Sequence, residues 1–207
     1  FASKFNDDKK TLAFSDNVQD AAHRAGFFNA RTWRFGFRSA LQRYVENGGA
    51  GQSLTDFTKG FIYYWHENMD DESFVSFFIA PNMTWMRAYE EMVQNRKLGK
   101  DALAKKLMSD IEKRISYEIM LEYGLTSRIG RTLEKSGCSC MSFNEEELIR
   151  IAENVQERVT NKIGLLPHTG QKKYEQMVAG YVNIMRQNGA FDDAVFYTYL
   201  KENGNTY

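Results

Sequence analysis

At 207 residues with 43% hydrophobic side chains, the chain can bury a core of its own, in one globular domain or two small subdomains, which excludes a disordered description. Twenty-seven Lys and Arg balance twenty-seven Asp and Glu at a sequence pI near 7.0, so any nucleic-acid contact falls to a local patch and not to the whole surface. No apolar run reaches membrane-spanning length, residues 1–10 do not form a secretory leader, and two cysteines make no disulfide framework, which together predict a cytoplasmic protein without a membrane partner.

With 14% aromatic residues, two prolines and a mean hydropathy of −0.54, the expected fold is mainly α. It is bundle-like, with one short N-terminal strand and a C-terminal helix-turn-helix. The strand is residues 9–15, a short apolar run behind a charged lead. Ser15 and Asp16 suit the cap of the next helix, in which Val18, Ala21, Ala22, Ala25 and Phe28 recur at helical spacing. After a break near Gly26 the pattern continues from Arg31 to Val45 and stops in the glycine cluster of residues 47–51. Ser53 caps a second helix through Phe57, Phe61 and Tyr64, and a short helix spans residues 72–79 ahead of Pro81. Trp85, Tyr89 and Val93 mark the next.

Residues 100–123 carry the clearest periodicity. Leu103, Leu107, Ile111, Ile115 and Ile119 form a stripe opposite Lys105, Asp110, Lys113 and Glu118, with Gly124 as C-cap. Asn144 and Glu147 resemble a capping box, with three acids in the first turn suited to the helix dipole, opening a helix through Ile151, Val155 and Val159 to Gly164. Residues 171–188 and 192–202 read as two helices joined at Gly189-Ala190. Tyr174, Met177, Val178, Tyr181, Ile184 and Met185 are expected to pack against Ala194, Val195 and Tyr199.

Between Ala21 and Val45 every charge is positive: Arg24, Arg31, Arg34, Arg38 and Arg43, interleaved with Phe27, Phe28, Trp33, Phe35, Phe37 and Tyr44. Arginines hold phosphates and aromatics stack bases, which makes this the best nucleic-acid patch in the chain. The competing expectation is an amphipathic helix whose arginines snorkel from a buried face. Other clusters read as structural. Arg96, Lys97, Lys100, Lys105 and Lys106 suit a solvated face. His66-Glu67 lacks a second histidine, since Asp70 stands in its place, and Cys138 and Cys140 are ordinary thiols. The last helix offers Phe196, Tyr197 and Tyr199, where a groove-reading helix presents Arg, Lys, Asn or Gln.

Residues 11–22, Thr-Leu-Ala-Phe-Ser-Asp-Asn-Val-Gln-Asp-Ala-Ala, resemble the start of the second RecA-like lobe of superfamily-two DEAD/DEAH-box helicases. There a strand ending in Phe-Ser/Thr-Asp is followed by Asn/Ser-Arg-Gln-Asp-Ala and a helix. Phe14, Ser15, Asp16, Asn17, Gln19, Asp20 and Ala21 match, and Val18 stands where Arg is usual. Residues 130–137 and 185–190 are similar to parts of the helical insertion that large members of this family carry. The resemblance implies a strand-helix unit at 1–50, a helical insertion at 51–164 and a helix-turn-helix-like segment at 165–207. It implies a part of a longer translocating ATPase, in keeping with a chain that starts at Phe1 without methionine. Ser15, Asn17 and Gln19 would then lie beside the backbone of DNA or RNA, where a helix N-terminus suits a phosphate.

ATP and magnesium would belong to the other domains of that parent. The chain has no Gly-x-x-x-x-Gly-Lys-Ser/Thr loop to cradle phosphates, no Asp-Glu-x-His/Asp segment to hold magnesium, and no late arginine motif. On its own it is expected to need no cofactor and to be catalytically inert. Its expected role is nucleic-acid contact; the rival is a structural or protein-interaction module.

Overall fold

Polar side chains mark where the helices begin. Ser53 Oγ accepts from the Asp56 N–H at 3.2 Å, Asp70 Oδ1 from Ser73 at 2.7 Å, Asp101 Oδ1 from Ala104 at 2.9 Å and Asn144 Oδ1 from Glu147 at 3.1 Å, so each fills one orphan donor of a first turn. The structure, a computed structural model, describes residues 18–125, 131–163, 169–190 and 192–203. Eight α-helices follow in chain order within them: α1 Val18–Tyr44, α2 Leu54–Asn68, α3 Asp71–Phe78, α4 Arg87–Asn95, α5 Ala102–Tyr123, α6 Glu145–Ile163, α7 Gln171–Gln187 and α8 Ala194–Asn203. The expected strand at residues 9–15 lies outside the described residues.

The mainly helical expectation holds, and α5 is its axis. Leu107, Ile111, Ile115 and Ile119 are fully buried, facing Phe37 and Leu41 of α1, Phe61 of α2, and Phe74 and Phe78 of α3. Rings dominate this core and meet mostly edge to face, as in Phe61 with Phe78 at 5.7 Å and 80°. Between α1 and α2 the buried Tyr44 side chain lies against the α2 backbone. A Cβ at Gly60 would sit 2.1 Å from Tyr44 Oη, so only glycine fits there. On the other side of α5, Phe196 and Tyr199 of α8 stack on Tyr117 at 5.4 and 4.5 Å. α6 and α7 pack principally on each other, around Ala152, Tyr174 and Val178. No helix among the described residues is long and apolar enough to cross a membrane.

Several expectations change in detail. α1 runs through Gly26 without a break and ends in the widened turn Val45–Gly49, where Gly48 takes φ 107°. On α5, Leu103 is exposed, and Glu118, expected in solvent, is buried beside Arg114, because α8 covers the face that periodicity leaves to water. On α4 the buried residues are Ala88 and Met92, whereas Val93 is exposed and Trp85 precedes the helix. On α6, Ala152 is buried in place of Ile151, and Glu147 turns its carboxylate to Arg150, leaving half a capping box. The last two helices stand where expected, but their packing differs: α7 lies on α6 and α8 on α5. Met177, Tyr181, Ile184 and Met185 of α7 are therefore exposed and do not meet Ala194, Val195 and Tyr199.

Candidate nucleic-acid interface

α1 has two unlike halves. From Trp33 onward it is anchored: the Trp33 Nε1–H donates to the Phe78 carbonyl at 3.3 Å, the indole stacks on Phe37 at 5.5 Å, and Leu41 and Tyr44 are buried. Every residue from 25 to 32 is exposed. Phe27, Phe28, Arg31 and Phe35 fall within roughly 100° of the helix circumference, and the buried Phe37, Ala40, Leu41 and Tyr44 centre roughly 140° away from them. The phenylalanines are 54%, 56% and 74% exposed, which takes them out of the core that a purely structural account would give them. The Arg31 guanidinium lies over the Phe27 ring, 4.3 Å from its centroid, and Phe28 meets Phe27 edge-on at 6.4 Å.

The other candidate arginines part company. Arg38 Nε donates to both oxygens of Glu122, at 3.0 and 3.1 Å, and its Nη2 donates to the Arg131 carbonyl. Glu122 also accepts from the Leu133 N–H. Burial raises the Glu122 pKa, and the Arg38 charge opposes that rise. Arg34 is half-buried. Arg43 is exposed more than three turns beyond Arg31, its guanidinium 5.8 Å from the Trp65 ring. Ser15 and Asn17 lie outside the described residues, as do the side chains of Gln19 and Arg24, whose backbones belong to the start of α1. The structure thus gathers Arg31 with Phe27, Phe28 and Phe35, and ties half-buried Arg38 to the buried carboxylate of Glu122.

Two arginines that the sequence reading passed over organise the interior. Arg114 Nη1 donates to Tyr199 Oη at 2.8 Å and Nη2 to Glu118, with its guanidinium 5.8 Å from Trp33 and 5.5 Å from Tyr117. Its i,i+4 spacing from Glu118 was the available signal. Arg186 donates to the Tyr123 carbonyl and to both oxygens of Glu134, across 63 and 52 residues of sequence, which no local pattern announces.

The remaining candidates are modest. His66 Nε2 meets Glu112 at 3.1 Å and its ring stacks on Phe74 at 4.0 Å. Cys138 and Cys140 are exposed free thiols. Among the described residues no three His, Cys, Asp or Glu side chains are grouped to hold a metal ion. No family model, curated protein or solved structure matches the chain.

Proposed function

We propose that the chain is an accessory helical part of an ATP-dependent nucleic-acid helicase, contacting DNA or RNA through the outer face of α1 and taking no part in ATP hydrolysis. One observation carries the reading: Phe27, Phe28, Arg31 and Phe35 share the side of α1 turned away from the core, where a helix needing only burial has no use for three phenylalanines. The half-helix bearing most of them includes Gly26 and Thr32, weak helix formers, and its residues 25–32 are all exposed, so an external partner would stabilise it. The resemblance at residues 11–22 leads directly into this helix and sets Ser15, Asn17 and Gln19 beside the same strand. ATP, magnesium and the motor lobes belong to the remaining domains of the parent.

Titrating labelled single-stranded DNA, single-stranded RNA and duplex DNA at increasing salt tests the reading. Arg31→Ala should weaken binding and lower the salt slope by about one, and Phe28→Ala should cost about 1–3 kcal/mol of strand affinity. Absence of binding to all three at low salt sinks it. A protein-interaction role rests on a separate feature, the exposed stripe of Met177, Tyr181, Ile184 and Met185 on α7, side chains of the kind enriched at interfaces. It becomes the better account if the titrations are flat.

A further inference from the structure

A cleft of about 630 Å³ opens between the turn at residues 81–86, the first half of α5 and the end of α8, within the size range of small-ligand sites, roughly 300–1,000 Å³. Trp85 forms one wall. The residue is 75% exposed, yet its Nε1–H donates to the Asn82 carbonyl at 2.8 Å, within its own turn. The polar edge of the indole is satisfied and its orientation is set, which leaves the apolar face on offer. So exposed a residue adds little to the core, and the half-buried thioethers of Met83 and Met86 extend the apolar wall beside it.

Lys106 and Lys113, two turns apart on α5, also line the cleft. Lys106 pairs with Asp110 at 2.5 Å and Lys113 with Glu202 at 3.1 Å. Pairs this close to solvent hold weakly, and an ammonium has three donors, so each lysine can keep its carboxylate and still donate to an incoming anion. The cleft therefore offers a fixed aromatic plane and two cations, with their carboxylate partners Asp110 and Glu202 lining the same cavity, so an anion must share each ammonium with its carboxylate. A flat unsaturated ring linked to a phosphate satisfies both.

We propose that this cleft binds a single unpaired nucleotide, its base on Trp85 and its phosphate between Lys106 and Lys113. The chemistry is the same for a free mononucleotide and for one unit of a strand. No residue of α1 takes part, so occupancy of the cleft is measured independently of strand binding by α1.

Tryptophan emission and calorimetry of the whole chain, titrated with thymidine 5′-monophosphate, provide the test. Of the three tryptophans, Trp65 is buried and Trp33 is half-buried, so quenching reports mainly on Trp85. Saturable quenching is expected, with thymidine alone and inorganic phosphate alone each at least about tenfold weaker. Trp85→Leu should abolish the quenching and weaken calorimetric binding about tenfold with an unchanged circular dichroism spectrum, and Lys106→Gln with Lys113→Gln should flatten the salt dependence. A thymidine oligonucleotide binding through Trp85 far more tightly than the monophosphate identifies a strand as the source; equal affinity identifies the free nucleotide. The proposal is overturned if neither nucleotide probe saturates, if Trp85→Leu leaves their affinity unchanged, or if indole-3-acetate, an aromatic carboxylate, binds equally well.

Discussion

At the scale of single residues, the chain's least conventional choice is to bury charge along α5. Glu118 and Glu122 are each about 5% exposed and are answered by Arg114 and Arg38. Such pairs recover their desolvation cost only when every donor and acceptor is occupied, as at Glu122, which takes both Arg38 and the Leu133 N–H. Tyr123 closes the same helix. Its hydroxyl meets Ser139 at 2.9 Å, but burial pushes its pKa up from 10.0 to about 12. The unfolded chain ionises this tyrosine first, so the stability it lends is full below pH 10 and is lost as the pH rises toward 12, on the order of 2 kcal/mol across that window. Urea midpoints compared between the native chain and Tyr123→Phe should show a shallower alkaline decline in the variant; parallel curves would refute it. Little of this was legible beforehand, because Arg38 and Glu122 stand 84 residues apart and nothing local links them.

At the scale of elements, helical spacing located each helix but not always its buried side. For α2 the cap at Ser53 and the Phe57–Phe61 stripe agree with the packing, since one neighbouring layer decides which residues are covered. α7 is different. Its apolar positions extend around more of the helix than α6 can cover, and the pairing covers Tyr174 and Val178 while leaving Met177, Tyr181 and Ile184 in solvent. Substitution separates the two sides. Ile184→Lys should change the free energy of unfolding by no more than about 0.5 kcal/mol, whereas Ala152→Leu, which crowds the α6–α7 contact, should cost about 1–3 kcal/mol. If Ile184→Lys is the more damaging, α7 packs through the other side. On α1 the same ambiguity favours the proposed interface: the sequence shows arginines and phenylalanines interleaved, and only the position of the core shows which of them face outward.

At the scale of the whole molecule, the α6–α7 pair has its own small core and meets the rest most visibly through Arg186, which donates to the last-turn carbonyl of Tyr123 and to Glu134. Such a unit should open without global unfolding. Hydrogen exchange should find the amides of α5 most protected and those of α6 and α7 exchanging together at lower free energy. Arg186→Met should lower protection in that pair selectively, and uniform protection across both parts would argue against the division. By itself the sequence determined the helical class, the capped starts of α2 and α6, and the presence of an arginine-aromatic segment, because propensity, capping and periodicity act within a few residues. The tertiary structure alone decided the pairing of α7 with α6 and of α8 with α5, the burial of Arg114 and Arg186, the engagement of Arg38 by buried Glu122, and the exposure of Phe27, Phe28, Phe35 and Trp85. Those outcomes depend on which surfaces compete for one core, and that competition runs between residues far apart in the chain.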